Sequence, residues 1–212
     1  MYSIKIDYRE RLEEATKLLE HISSLTDSGG VVESSIIKSS YVLLLYNNLE
    51  ATVSSSIEHL HDCASVCKYD ELSEEFKKIY ADFHHYNISK KNVKEHLDNT
   101  FSGDFKFPSY SDYCRKVTIF SGNIDVKSLN DFNKKYGIAR LDLRGKTPEN
   151  ILVIKNKRNK LAHGEESFRK SCRSHTIAEL QELGDSLKKL LDKFIELIEG
   201  FVNDEKFKAS TQ

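Results

Sequence analysis

The 212-residue chain is long enough to bury a real core as one domain, or as one domain with an insertion. Its 32 Lys and Arg balance 33 Asp and Glu, which excludes a protein that coats nucleic acid by net charge but not an enzyme that touches a few phosphates. Four cysteines without tight pairing exclude a disulfide scaffold, no apolar run approaches a membrane span, and Met1-Tyr-Ser-Ile-Lys-Ile-Asp is no signal-peptide core, so the expectation is a cytoplasmic protein.

Only two prolines and nine glycines punctuate the sequence, a composition that favours long helices. Leu12, Ala15, Leu18, Leu19 and Ile22 keep helical spacing and predict a first helix from about Ile6 to Leu25, broken by Asp27-Ser-Gly-Gly30. A second, long helix is predicted from Val32 to about Val66. The nearly unbroken apolar run Tyr41 to Tyr46 requires it to be central and covered on several sides. A third helix starts near Ser73, and a short one follows over Lys90 to Leu97. Thr100 to Ile124 then mixes Phe101, Phe105, Phe107, Tyr110 and Tyr113 with Gly, Ser, Asp and Pro108. It predicts an irregular insertion over roughly 100–125, with room for short strands. Leu129 to Tyr136 is a small helix. Thr147-Pro148-Glu-Asn opens the next helix, with Thr147 as cap and Pro148 in the first turn. The last helix runs from about Thr176 to Val202, with Leu180, Leu183, Leu187, Leu190, Leu191, Phe194, Leu197 and Ile198 on one side. The whole is an all-α bundle, a single domain over 1–212, with an excursion between its third helix and the helix that opens at Thr147.

Several clusters compete as sites. His59, Cys63 and Cys67 lie four apart on one helix face, but residues eight apart are separated by about 12 Å of rise, too far to share one zinc. Reduced cysteines, structural or on the surface, are expected there, with His61 beside them, and no metal. His84 and His85 are adjacent and point in different directions, so two surface or half-buried histidines are expected. The aromatics of the insertion offer stacking surfaces for bases, but anchoring the segment onto the bundle is the simpler role.

One run stands apart. In Ile154-Lys-Asn-Lys-Arg-Asn-Lys-Leu-Ala-His-Gly164, the stripe Ile151, Ile154, Arg158, Leu161 puts a guanidinium where a core residue belongs. Such a group is costly to desolvate unless it is paired or works on an anion. Glu50, at the end of the apolar run of the second helix, is its natural carboxylate partner and would orient it. His163 follows five residues on, before a glycine suited to ending the helix. A fixed cation and a titratable base at one helix end suit phosphodiester chemistry. From Lys155 to Arg173 seven Lys or Arg face two Glu, so Lys157, Lys160, Arg169 and Lys170 are candidates to hold flanking phosphates.

Arg158-Asn-x-x-x-His163 resembles the Arg-x4–6-His signature of the HEPN superfamily, with a polar residue, Asn159, after the arginine. Tyr41-Val-Leu-Leu-Leu-Tyr-Asn-Asn-Leu-Glu50-Ala is similar to the long second helix of defence-linked members. The stretch from Asn123 to Ile138 is similar to the segment that such proteins place before the motif helix. The resemblance covers roughly 31–203 and implies a HEPN-like helical bundle. It also implies a metal-independent endoribonuclease, a toxin or defence effector without cofactor, restrained by an antitoxin or other defence partner. Arg158 and His163 would be catalytic and Asn159 and Glu50 supporting, in a homodimer whose two motifs face each other across the RNA. The sequence departs from some toxin members at Glu165, where they carry a Tyr two residues after the His. The alternative is a catalytically silent HEPN-like module that binds a nucleotidyltransferase, a restriction subunit or another protein.

Overall fold

Apolar side chains at helical spacing and few chain breakers produce the expected architecture. The computed structural model describes residues 1–88, 107–120 and 123–209, the last four of the first stretch by backbone alone. Among these residues there are eight α-helices and no strand. They are α1 (Tyr2–Asp27), α2 (Val31–Ser65), α3 (Glu74–Ile88), α4 (Tyr110–Cys114), α5 (Val126–Lys135), α6 (Thr147–Ala162), α7 (Phe168–Ser171) and α8 (Ile177–Asn203). A 3-10 turn at Tyr69–Glu71 precedes α3, and one antiparallel bridge, Leu72 to Lys208, ties that turn to the chain's end.

The apolar run in α2 decides the layout. Tyr41, Val42, Leu45, Tyr46, Leu49, Val53, Ile57 and Leu60 are all buried. A helix that buries residues all round must be surrounded, and α1, α4, α6, α7 and α8 all pack against α2. Burying each such aliphatic or aromatic side chain contributes roughly 1.5–3 kcal/mol relative to leaving it in water. Some of the buried polar groups of α2 bond within the helix. Thr52 donates to the Asn48 side-chain carbonyl at 3.1 Å, and Ser56 donates to the Thr52 carbonyl at 2.7 Å. Helix α8 covers a second flank with Leu180, Leu187, Leu190, Leu191, Phe194 and Ile198 inward. It starts where Thr176 and Glu179 form a capping box that supplies partners for two backbone N–H groups.

The segment of the insertion that is described carries the helix α4 and no strand, so the room left for strands is filled by a helical turn. Its aromatics anchor it. Phe107, Tyr110, Tyr113 and, from beyond α5, Tyr136 set their rings 5.1–5.7 Å from the buried His61 ring. His61 Nδ1 lies 2.9 Å from the Pro108 carbonyl oxygen, which can only accept, so Nδ1 carries the proton. Its Nε2 therefore accepts from the Tyr136 hydroxyl, also at 2.9 Å. Burial holds this imidazole neutral, with its pKa down to about 4. Phe101, Phe105 and the short helix expected over Lys90 to Leu97 lie outside the described residues.

The start of α6 corrects the expected cap. Lys146 is the N-cap, and Thr147 is the first helical residue, buried and without a capping hydrogen bond. Gly145, at φ +68°, turns the chain, and Lys146 already has near-helical φ and ψ, so the threonine falls one residue inside the helix. Pro148 sits in the first turn, where its missing N–H costs nothing.

Candidate functional site

Helix α6 buries Ile151, Ile154 and Leu161 and thereby brings the fourth member of the stripe, Arg158, to the edge of the core. The arginine is half-buried rather than enclosed: its side chain is 26 % exposed and that of Glu50 is 34 %. Nη2 lies 3.4 Å from Glu50 Oε1, and Nη1 donates to Asn159 Oδ1 at 3.1 Å. The guanidinium carbon stands 4.7 Å from the centroid of the Tyr46 ring. Tyr46 is one turn before Glu50 on α2, so one helix face presents both a π-surface and a carboxylate to the same cation. The Tyr46 hydroxyl accepts the Ile124 N–H at 3.0 Å. Burial first, and the neighbouring Glu50 carboxylate with it, push the phenol up from its ordinary range.

Two further bonds clamp α6 onto the segment before α5. Lys155 Nζ lies 2.6 Å from Asp125 Oδ2, with both side chains mostly buried, and the Asn159 amide donates to Asn123 Oδ1. Asp125 is also the N-cap of α5, in a capping box with Ser128. The lysine and the Ser128 bonds outweigh the cost of burial and hold its carboxyl below the usual carboxylate range. Asn159 thus bridges Arg158 to Asn123 instead of facing solvent.

His163 is the C-cap of α6 and is exposed. Gly164 follows at φ +71°, a conformation that side chains rarely adopt. The Glu165 N–H reaches the Lys160 carbonyl at 2.9 Å and the Gly164 N–H reaches Leu161 at 3.3 Å, the two bonds of a Schellman turn. Among the described residues no side chain hydrogen-bonds the His163 ring. The backbone alone sets its position, and the imidazole is open to a ligand.

The four flanking cations fall into two pairs. Lys157 Nζ donates to the Ser171 carbonyl and lies 3.2 Å from Glu166 Oε2, while Lys160 Nζ lies 2.8 Å from Glu166 Oε1. One carboxylate therefore holds both lysines proposed for phosphate contacts. Lys160 first, and Lys157 with it, lower its pKa to about 2. Arg169 and Lys170 are exposed on α7. Sequence spacing does not point to Glu166, which meets the lysines six and nine residues back only because the glycine turn reverses the chain. Tyr46 and Asn123 also went unassigned, although both lie in segments that carry the family resemblance.

Beside Glu50 opens a cleft of about 560 Å³, with Asn47 and Ser54 on α2 facing Tyr110, Phe120 and Ile124. A larger groove, about 860 Å³, lies between α5 and the exposed Leu152 of α6, away from the Arg158 cluster. His59 Nε2 lies 3.7 Å from Cys63 Sγ, and Cys67 is buried. Among the described residues no group of three His, Cys, Asp or Glu side chains is placed to hold a metal ion. His84 packs its ring on Tyr80 and Phe83, at 4.3 and 5.1 Å between centroids, which is the half-buried role expected of it.

The helix that ends in Arg158 and His163 packs on the central helix that carries Glu50. A family model described as HEPN_MAE_28990-like HEPN matches residues 3–207. The chain belongs to the HEPN superfamily. No curated protein and no solved structure matches it. Family membership accounts for the all-α bundle. Among the described residues, no helix of this HEPN protein is long and apolar enough to cross a membrane.

Proposed function

We propose that this HEPN protein is a metal-independent endoribonuclease, acting as a toxin or defence effector in the cytoplasm. The observation that carries the reading is the pairing at the end of α6: an oriented guanidinium and an exposed imidazole five residues apart on one helix. RNA brings its own nucleophile. His163 removes the proton of a 2′-hydroxyl, whose oxygen attacks the adjacent phosphorus, and the bond from phosphorus to the 5′-oxygen breaks. Arg158 donates to the non-bridging oxygens as charge builds on the phosphorane, with Glu50 and Tyr46 holding the guanidinium plane. The products are a 2′,3′-cyclic phosphate and a 5′-hydroxyl, and DNA resists because it lacks the nucleophile.

Protonating the departing 5′-oxygen calls for an acid opposite the base, and one chain supplies a single motif imidazole. A homodimer with facing α6 helices supplies the second. Two Arg158 side chains close to the two-fold axis repel unless an anion lies between them, so RNA phosphate belongs there. Asn159 supports the arginine. Of the flanking cations, Arg169 and Lys170 are the ones open to phosphates, and Lys157 and Lys160 contribute only field. An antitoxin or other defence-system partner would restrain the activity.

A second reading has its own support. Arg158, Lys157 and Lys160 all have carboxylate partners within the chain, as a silent HEPN-like module that binds a nucleotidyltransferase, a restriction subunit or another protein would require. Induced expression separates the two. Under the enzyme reading, the wild-type chain arrests growth and degrades total RNA while His163→Ala does neither. Equal growth and intact RNA in both would favour the silent module.

A further inference from the structure

We infer that Glu166 is a positioning residue for His163: its carboxylate fixes the turn that carries the imidazole and balances the two lysines behind it. The role in catalysis rests on the endoribonuclease reading above, while the geometric role does not. The His163 ring has no side-chain bond among the described residues, so its place depends on the backbone from Leu161 to Ser167. Backbone bonds to Lys160 and Leu161 close the turn, with the Glu166 N–H also 3.2 Å from the Lys160 carbonyl. The side chain of Glu166 then ties the turn back to α6, meeting Lys157 at 3.2 Å and Lys160 at 2.8 Å. Lys157 adds a bond to the Ser171 carbonyl, so the loop from 164 to 171 is fastened at both ends.

Charge points the same way as geometry. Glu166 is the counter-ion of two cations that stand three and six residues before His163. Without it, both stand uncompensated at the helix end that carries the imidazole, and positive charge there disfavours the protonated form. The other groups around this cluster are Glu165 in the turn, Lys38 on α2, and Cys172, His175 and Glu179 after α7. Among the described residues, only Glu166 bridges both lysines.

The test uses the intact protein with Glu166→Ala and Glu166→Gln. The first readout is kcat and KM against pH on an RNA oligonucleotide. The second is the NMR titration of the His163 imidazole, which needs no activity. Glu166→Ala should lower kcat at least tenfold with KM within about threefold. Both the acid limb of kcat/KM and the imidazole titration should move to lower pH. Glu166→Gln, whose one amide oxygen can still accept from one lysine, should recover part of kcat while keeping the titration shift. Wild-type kcat in Glu166→Ala together with an unmoved imidazole titration overturns the inference. So does a loss of kcat that Gln does not relieve and that leaves the titration in place, because that is mere structural support. If the wild type cuts no RNA, the enzyme reading fails on its own, and the imidazole titration in the Gln variant still decides whether Glu166 acts on His163.

Discussion

Removing the Arg158 side chain separates two quantities that the sequence alone runs together. A fully buried Arg–Glu pair loses about 3–5 kcal/mol when one partner is removed. Here both side chains keep about a quarter to a third of their exposure, and Nη2 stands 3.4 Å from Oε1, so water screens the pair. Such an ion pair contributes about 0.2–1 kcal/mol. The guanidinium over Tyr46 adds about 0.5–1 kcal/mol at a partly exposed site. Arg158→Ala should therefore cost about 1–2 kcal/mol in urea unfolding, and Arg158→Lys less. A double-mutant cycle with Glu50→Gln should give a coupling of no more than about 1 kcal/mol. Cleavage should fall about 10²–10³-fold in both arginine variants, since an ammonium cannot make the two parallel bonds of the guanidinium. A loss of 3–5 kcal/mol would refute the screening argument, and near-wild-type cleavage by Arg158→Ala would refute the role of the arginine in the reaction.

Two other predictions concern the frame that holds the site. The His61 pKa falls from 6.5 to about 4 on folding, so the unfolded chain binds more protons between those values. Its contribution, about 3 kcal/mol, is complete above pH 6.5 and lost as pH falls to 4, and urea titrations of wild type and His61→Gln should diverge in that window; parallel curves would contradict the buried neutral imidazole. Asp125→Ala removes a helix cap and strands Lys155, and should cost about 2–4 kcal/mol in urea unfolding; a change under 0.5 kcal/mol would mean that the clamp on α6 carries no weight.

The long helices were legible because their signal is local. Helical spacing of apolar residues and the scarcity of Gly and Pro place α1, α2, α5, α6 and α8 within a few residues of their ends. The pairing of Arg158 with Glu50 was also legible, since a cation on a core stripe needs a carboxylate and the central helix offers one. The pair's exposure was not: stripe position says which way a side chain points, but neighbouring elements decide how far water follows it. The roles of Lys157 and Lys160 were obscured for a related reason. A count of charges along 155–173 treats them as a solvated patch, whereas the Gly164 turn folds Glu166 back between them. His61 was passed over because its partners, Pro108 and Tyr136, come from 47 and 75 residues away. No periodicity carries that information.

Cleavage through the 2′-hydroxyl by Arg158 and His163 depends on the sugar and needs no metal. The decisive experiment gives the purified protein, in excess EDTA, an RNA oligonucleotide and its twin with one 2′-deoxy sugar at the preferred linkage. The first should be cut to a 2′,3′-cyclic phosphate and a 5′-hydroxyl, the second should stay intact at the deoxy position, and His163→Ala should give no products. Cleavage at the deoxy position, or activity that vanishes with chelator and returns with magnesium or manganese, would contradict this mechanism.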